Sequence, residues 1–207
     1  MVDASFYSRR EIGCSLFESM RIAYAGTVSP LRGFSLLTSS QPSLMTPDPP
    51  RHLPVLLVEA LDLLAPADGE IWVDATTGLG GHTRLLAERV TPTGRVIALD
   101  QDPAMLEQAW KAMPLGLPIV WMHANFDQLD AAVLAKTGGR RVDGLLADLG
   151  GCSAQLDDPA RGLSFQNTGP LDMRLDPRIR ESAADLVNRL SERDLADLIW
   201  NYGEERH

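Results

Sequence analysis

Four short apolar runs alternate with helical patterns between residues 52 and 148. That alternation restricts the fold more than any other feature. "EIWVD" (70–74), "RVIALD" (95–100), "IVWM" (119–122) and "DGLLAD" (143–148) have strand length and almost no polar interruption, the pattern of strands buried on both faces. Leu53, Leu57, Leu61 and Leu64 recur at helical spacing and predict a helix over 54–64 with Pro54 in its first turn. "HTRLLAERV" (82–90), "PAMLEQAWKA" (103–112) and "DQLDAAVLAK" (127–136) predict three more helices, the second capped by Asp102 with Pro103 at its first position. Strand and helix in strict alternation imply an α/β fold, a parallel sheet with helices on both faces. Right-handed crossovers in a doubly wound order set the first strand between the fourth and the second.

The flanking regions read differently. Residues 1–50 are rich in Ser, Thr, Pro and Gly without a sustained period, and are expected to be largely disordered. Arg9, Arg10, Arg21 and Arg32 among serines suggest an organelle transit peptide, whereas Asp3, Glu11 and Glu18 argue against one. The expectation is a flexible tail, or a non-native stretch ahead of Met45 as the natural start. Residues 51–150 form the alternating domain, and 151–207 a separate region. There, 150–180 reads as a long loop, followed by two helices opened by Ser182 with Asp185 and Ser191 with Asp194.

The totals exclude several classes. A chain of 207 residues that is 44% hydrophobic suits one globular domain with a small appendage. A net charge of −9 does not advertise nucleic-acid binding. A local patch can still meet phosphate, and Arg161, Arg174, Arg178 and Arg180 outnumber Asp172 and Asp176 between 161 and 180. The alternative is a solvated loop with its own ion pairs. The two cysteines, Cys14 and Cys152, have no metal-ligand spacing, so neither a metal nor a disulfide framework is expected. Apolar runs fall short of the roughly 18 residues that a membrane span needs. A soluble cytoplasmic protein is expected.

Chemistry concentrates where the first strand stops. "DATTGLGGHT" (74–83) places Gly78, Gly80 and Gly81 at a strand's carboxyl end, where doubly wound sheets bind ligands. The dinucleotide fingerprint GxGxxG fails, because Thr83 stands where the third glycine belongs. No Walker motif and no nearby lysine serve a triphosphate. Asp100, ending the second strand, suits a ribose diol and repels a 2′-phosphate. A ligand with a ribose and no phosphate fits, and S-adenosyl-L-methionine is one. The bland alternative is a tight strand-to-helix turn beside a capping Asp.

Longer stretches are more specific. "HLPVLLVEALDLL", "VDATTGLGGHT", "ALDQDP", "LLADLGGCSAQLDDPARGLSF", "GPLDMR" and "YGEER" follow one another in this order. Together they resemble the MraW/RsmH-type family of ribosomal RNA small-subunit (cytosine-N4)-methyltransferases, over roughly 52–207. The resemblance implies a Rossmann-like S-adenosylmethionine-dependent methyltransferase sheet, with the start of an inserted helical substrate-recognition subdomain after 150. It implies methyl transfer to the exocyclic N4 of a cytidine in small-subunit ribosomal RNA or the assembling small subunit. Carried over by motif, Gly80, Gly81 and His82 contact the cofactor, Asp100 holds its ribose and Phe126 flanks its adenine. Asp148 and Gln155 line the methionine end. His82 otherwise only starts a helix, and Phe126 otherwise belongs to the core. Asp148 is also the catalytic candidate, because it can accept an N4 proton and localise a lone pair delocalised into the ring. An uncompensated carboxylate at the end of a buried strand costs roughly several kcal/mol, which favours a functional role. Cys152 is expected to be a small packing residue.

Departures from the family pattern are limited. "TGLGGH" and "DLGGCSAQLD" stand where members commonly read close to "LGGGGH" and "DLGVSSPQLD". The [DN]PP[YF] motif of DNA amino-methyltransferases is absent, with "DLGG" in its place. Members continue past "YGEER" with further helices and strands, so the chain is expected to be truncated, leaving the fourth strand without an outer neighbour. Two alternatives stand beside the methyltransferase. One is an inactive remnant that binds S-adenosylmethionine or a ribosomal partner. The other, a nicotinamide oxidoreductase, is disfavoured by the missing glycine.

Overall fold

The computed structural model of the chain describes residues 21–25, as backbone, and 56–203. Contacts divide the chain into two compact units, Met1–Gly150 and Gly151–His207.

The first unit is a five-stranded parallel sheet with helices alternating along it. Its elements are β1 (Arg21–Ala25), α1 (Leu57–Leu64), β2 (Ile71–Asp74), α2 (Gly81–Val90), β3 (Arg95–Asp100), α3 (Pro103–Ala112), β4 (Ile119–His123), α4 (Leu129–Thr137) and β5 (Gly144–Asp148). The strand order is β1-β5-β2-β3-β4. β2 therefore lies between β5 and β3, as the doubly wound order requires.

One element corrects the sequence reading. Arg21–Ala25 falls within the segment expected to be disordered, yet it pairs in parallel with β5, setting Ile22 opposite Leu145. The sheet has five strands rather than the four counted from the pattern, and β5 is not an edge. The remainder of 1–50 lies outside the described residues, as does Pro54, placed in the first turn of the predicted 54–64 helix.

Alternation of side chains along β2 builds a core on each face of the sheet. Ile71 and Val73 join Ile97, Leu99, Leu145, Ala132 and Val133 on one face, with α4 as cover. Trp72 points the other way, into Leu61, Leu64, Leu86, Val90, Val96 and Leu146, covered by α1 and α2. Trp72 is fully buried. Its partner in register on β5 is Gly144, where an added Cβ would lie 2.2 Å from the indole. The missing side chain makes room for the ring.

The second unit holds α5 (Ser153–Asp157), α6 (Ala183–Arg189) and α7 (Glu192–Tyr202). The expected loop over 150–180 is thus interrupted by α5 and by a 3₁₀ turn at Pro159–Arg161. Ser182 and Ser191 cap α6 and α7, accepting from Asp185 N–H and Asp194 N–H at 3.2 Å each. Two backbone segments press together here: a Cβ on Gly169 would meet the Pro159 carbonyl oxygen at 1.9 Å, and one on Gly162 the Pro170 oxygen at 1.8 Å. Glycine is required at both positions by space.

Candidate functional site

Three adjacent strands end in aspartate: Asp74 on β2, Asp100 on β3 and Asp148 on β5. In the ladders Asp74 lies opposite Ala98 and Leu146, so its two neighbours extend two residues beyond it on either side. Asp74 is fully buried, and Asp100 and Asp148 are partly exposed.

From Asp74 the chain turns into the glycine-lined segment. Gly78 (φ 51°) and Gly80 (φ 86°) occupy the left-handed region, which glycine adopts without steric cost. A Cβ on Gly80 would also crowd Met113 Cε at 3.0 Å and Ala109 Cβ at 3.1 Å. Gly80 is the N-cap of α2, which begins at Gly81, one residue before the predicted start.

Asp74 closes this loop on itself. Its Oδ1 accepts from Thr76 N–H at 3.1 Å, and its Oδ2 accepts from the Thr83 hydroxyl at 2.6 Å. Burial pushes its pKa up to about 6, against the lowering effect of those two bonds, and the charges of Asp100 and Asp148 push the same way. Sequence reasoning gave Asp74 no part in the site. Its only signal was a carboxylate ending a buried strand.

Asp100 fastens the loop to β3. Its Oδ2 accepts from Gly78 N–H at 2.7 Å and its Oδ1 from Asp102 N–H at 2.9 Å. The Gln101 N–H is a third backbone donor to this carboxylate, and with about four lone-pair positions in all the carboxylate keeps room for a further donor. Burial raises the pKa of Asp100, while its bonds to backbone N–H groups lower it.

His82 and Asp148 face each other across the loop. His82 Nδ1 lies 4.0 Å from Asp148 Oδ2, too far for a hydrogen bond. Burial lowers the pKa of His82 and Asp148 raises it. Its Nε2 is buried without a protein partner, as is the Thr77 hydroxyl. Unsatisfied buried polar atoms are uncommon and call for an explanation; a ligand donor or acceptor supplies one for both. Asp148 N–H donates to Thr76 Oγ1 at 2.7 Å, joining the end of β5 to the loop after β2.

Phe126 follows β4 and begins a 3₁₀ turn capped by Asn125. It is exposed, which removes the expected alternative of a core side chain. Asn125 Nδ2 donates to Gln101 Oε1 at 3.1 Å, and His123 Nε2 lies 3.0 Å from the Gln101 carbonyl oxygen. These contacts hold the end of β4 against the residue that follows Asp100.

Gly80, Gly81, His82, Asp100 and Asp148 thus gather at one end of the sheet, with Phe126 in the turn that follows β4, the strand next to that of Asp100. Gln155 belongs to the second unit. It is buried in α5, and its Oε1 accepts from Cys152 N–H at 3.0 Å to cap that helix. Of the four arginines for which phosphate contact and ion pairs within the loop were both open, three have local partners: Arg161 with Asp158 at 3.6 Å, Arg174 with Asp172 at 2.6 Å and Arg178 with Asp176 at 2.7 Å. Arg174 holds the Asp172 carboxyl down to about 2.

The electrostatics select the ligand's charge. None of the strand-end segments 74–82, 98–103, 123–128 and 144–150 contains Lys or Arg, while three carboxylates converge there. Such a site favours a cation and disfavours a polyphosphate. Among the described residues no group of His, Cys, Asp or Glu could hold a metal ion, and no helix is long and apolar enough to cross a membrane.

Comparison with known proteins agrees with this architecture. The profile of the MraW methylase family matches residues 50–207. The ribosomal RNA small subunit methyltransferase H of Thermomicrobium roseum is 50% identical over 156 residues, covering 74% of this chain and 47% of that protein. The proteins of the same name from Sorangium cellulosum (46% identical, covering 80% of this chain and 53% of that protein) and Pseudoalteromonas atlantica (43%, 76% and 50%) are similar to it as well. The chain spans about half the length of these relatives.

Proposed function

The chain belongs to the MraW methylase family, and from that premise we propose that it binds S-adenosyl-L-methionine at the strand ends of its first unit and methylates small-subunit ribosomal RNA. The finer proposal is that the acceptor is the exocyclic N4 of a cytidine.

One observation carries the reading. The glycine-lined turn is bound directly to the acid of the next strand, through Gly78 N–H and Asp100 Oδ2. A bare backbone and a carboxylate with spare lone pairs are thereby held side by side, as a nucleoside with an unphosphorylated ribose requires. The ligand fits in three further respects. Its net positive charge matches the three carboxylates. The buried Thr77 hydroxyl and His82 Nε2 lack protein partners. Phe126 offers an exposed ring beside the strand that holds the ribose acid.

When bound, S-adenosyl-L-methionine supplies a methyl group on a positively charged sulfur. The protein's own part is positioning and proton handling. Asp100 accepts the ribose hydroxyls, Gly80 and Gly81 let the ligand approach the main chain, and Phe126 packs on the base. Asp148 accepts a proton from the exocyclic amine and thereby concentrates electron density on that nitrogen. An amine conjugated with its ring is a poor nucleophile, so correct placement supplies most of the rate.

The test is incubation of the chain with immature small subunits and S-adenosylmethionine labelled in the methyl group, followed by nucleoside analysis. Label on cytidine N4 supports the full proposal, and label elsewhere on the RNA refutes the N4 assignment. Because the chain spans about half the length of its relatives, a second outcome is informative: binding without transfer makes it a cofactor-binding protein with no methyltransferase activity of its own.

A further inference from the structure

Thr76 is not among the residues that the sequence singles out, yet it connects the two sides of the site. β2 pairs with β5 up to Asp74 opposite Leu146, and Ala75 N–H adds one bond to the Leu146 carbonyl at 2.9 Å. The backbone bonds to β5 then stop, while on the other side Thr77 N–H still bonds the Leu99 carbonyl of β3 at 2.9 Å. The Thr76 side chain prolongs the connection: its Oγ1 accepts from Asp148 N–H at 2.7 Å, across 72 positions of sequence. Thr76 is itself held, because its N–H donates to Asp74 Oδ1 at 3.1 Å. Asp74 in turn is fixed in the interior by the Thr83 hydroxyl on α2 at 2.6 Å.

We propose that Thr76 is a positioning residue for Asp148: its hydroxyl fixes the end of β5 so that the Asp148 carboxylate meets the ligands of the glycine loop in register. This rests on the role given to Asp148 above. The physical case is pre-organisation. A β-branched side chain has few χ1 options, so a short bond from Thr76 transfers the rigidity of the Asp74 anchor to β5. Displacement of a reacting group by about 1 Å is enough to cost on the order of a hundredfold in rate. A purely structural role would satisfy one backbone N–H and act no differently on Asp148 than on any other residue.

Two substitutions separate these roles. Thr76→Val keeps the shape and removes the hydroxyl, and Thr76→Ser keeps the hydroxyl. Hydrogen exchange at the Asp148 amide, in the chain without ligand, reads the contact directly. Exchange should be on the order of tenfold faster in Thr76→Val, the effect of one lost hydrogen bond, and near the parent rate in Thr76→Ser. Calorimetric titration with S-adenosylmethionine then compares the parent, Thr76→Val, Asp148→Asn and the double variant. We expect Thr76→Val to weaken binding by about tenfold, with no further loss when Asp148 is already Asn, the non-additivity of residues that act together. Additive losses overturn the proposal. So does unchanged binding, or a loss seen only in the unfolding midpoint. A parent chain that fails to bind S-adenosylmethionine overturns the functional reading and with it the role of Asp148, while the amide exchange still reports whether the contact exists.

Discussion

The two units of this chain are held together by different means. In the first, Trp72, Leu61, Leu86, Ile97, Leu99 and Val133 are fully buried, and the sheet carries an apolar layer on each face. In the second, no apolar side chain among the described residues is buried, and the two residues that are buried, Gln155 and Asp176, are polar. Leu198, Ile199 and Trp200 of α7 are all exposed. What shapes the second unit is local: serine caps, Asp–Arg pairs a few residues apart, and glycines that let backbone press on backbone. Burial specifies the first unit and hydrogen bonding the second. Of the polar groups that the first unit buries, Asp74, Thr77, His82 and Thr83 lie at the end of β2, in the loop after it and in the first turn of α2, whereas Asp102 caps α3 and Thr137 ends α4. Under the proposed function the first four are explained by a ligand rather than by packing.

The largest effect should come from removing the ring at the centre of the first core. Trp72→Ala is expected to cost about 3–5 kcal/mol, the range for a large buried aromatic, read as a fall in the urea midpoint of the first unit. A loss below about 1 kcal/mol would show that the sheet does not depend on that layer.

Next comes the pH dependence of Asp74. Its folded pKa of about 6 lies above its ordinary value of 3.8, so the folded state holds a proton that the unfolded state releases. Stability from this group is greatest below about pH 4 and falls as pH rises towards 6, by on the order of 2–3 kcal/mol. Asp74→Asn keeps a side-chain acceptor and carries no titrating proton, so unfolding curves from pH 4 to 7 should lose that fall. An unchanged pH profile would mean that Asp74 does not titrate in this window.

The smallest of the stability effects belongs to the second unit. Ser182→Ala removes the α6 cap and should cost about 1 kcal/mol, seen as faster amide exchange across Ala183–Arg189 with the first unit unaffected. A loss as large as that of Trp72→Ala would erase the contrast between the two units.

The same contrast explains what was legible in the sequence. β2, β3 and β5 were visible because strands buried on both faces leave uninterrupted apolar runs, β4 because its run is apolar although it is a half-buried edge strand, and α2 and α3 because glycine and Asp-Pro mark their starts. β1 was hidden: "RIAYA" is five residues opened by an arginine, in a Ser- and Pro-rich stretch, and only its pairing with β5 identifies it as a strand. α5 was hidden because a single helical turn has no period to detect. At the site, Asp100 could be inferred from its position after a glycine loop. The contacts of Asp74 and Thr76 could not, because the bond from Asp148 N–H to Thr76 joins segments far apart in the chain. The arginines of 161–180 were visible, and so were the aspartates beside them, but the sequence left open whether the arginines faced phosphate or one another's neighbours. The structure shows that Arg161, Arg174 and Arg178 have local partners.

The claim on which the account turns is that the glycine loop and Asp100 together hold an uncharged ribose bearing a cationic tail. The direct measurement is calorimetric titration of the parent chain and of Asp100→Ala with S-adenosylmethionine and with NAD. The account predicts saturable binding of S-adenosylmethionine, weakened in Asp100→Ala by about 1–3 kcal/mol as polar partners lose their acceptor, and no binding of NAD. Equal affinity in the two proteins, or binding of NAD in place of S-adenosylmethionine, would contradict it.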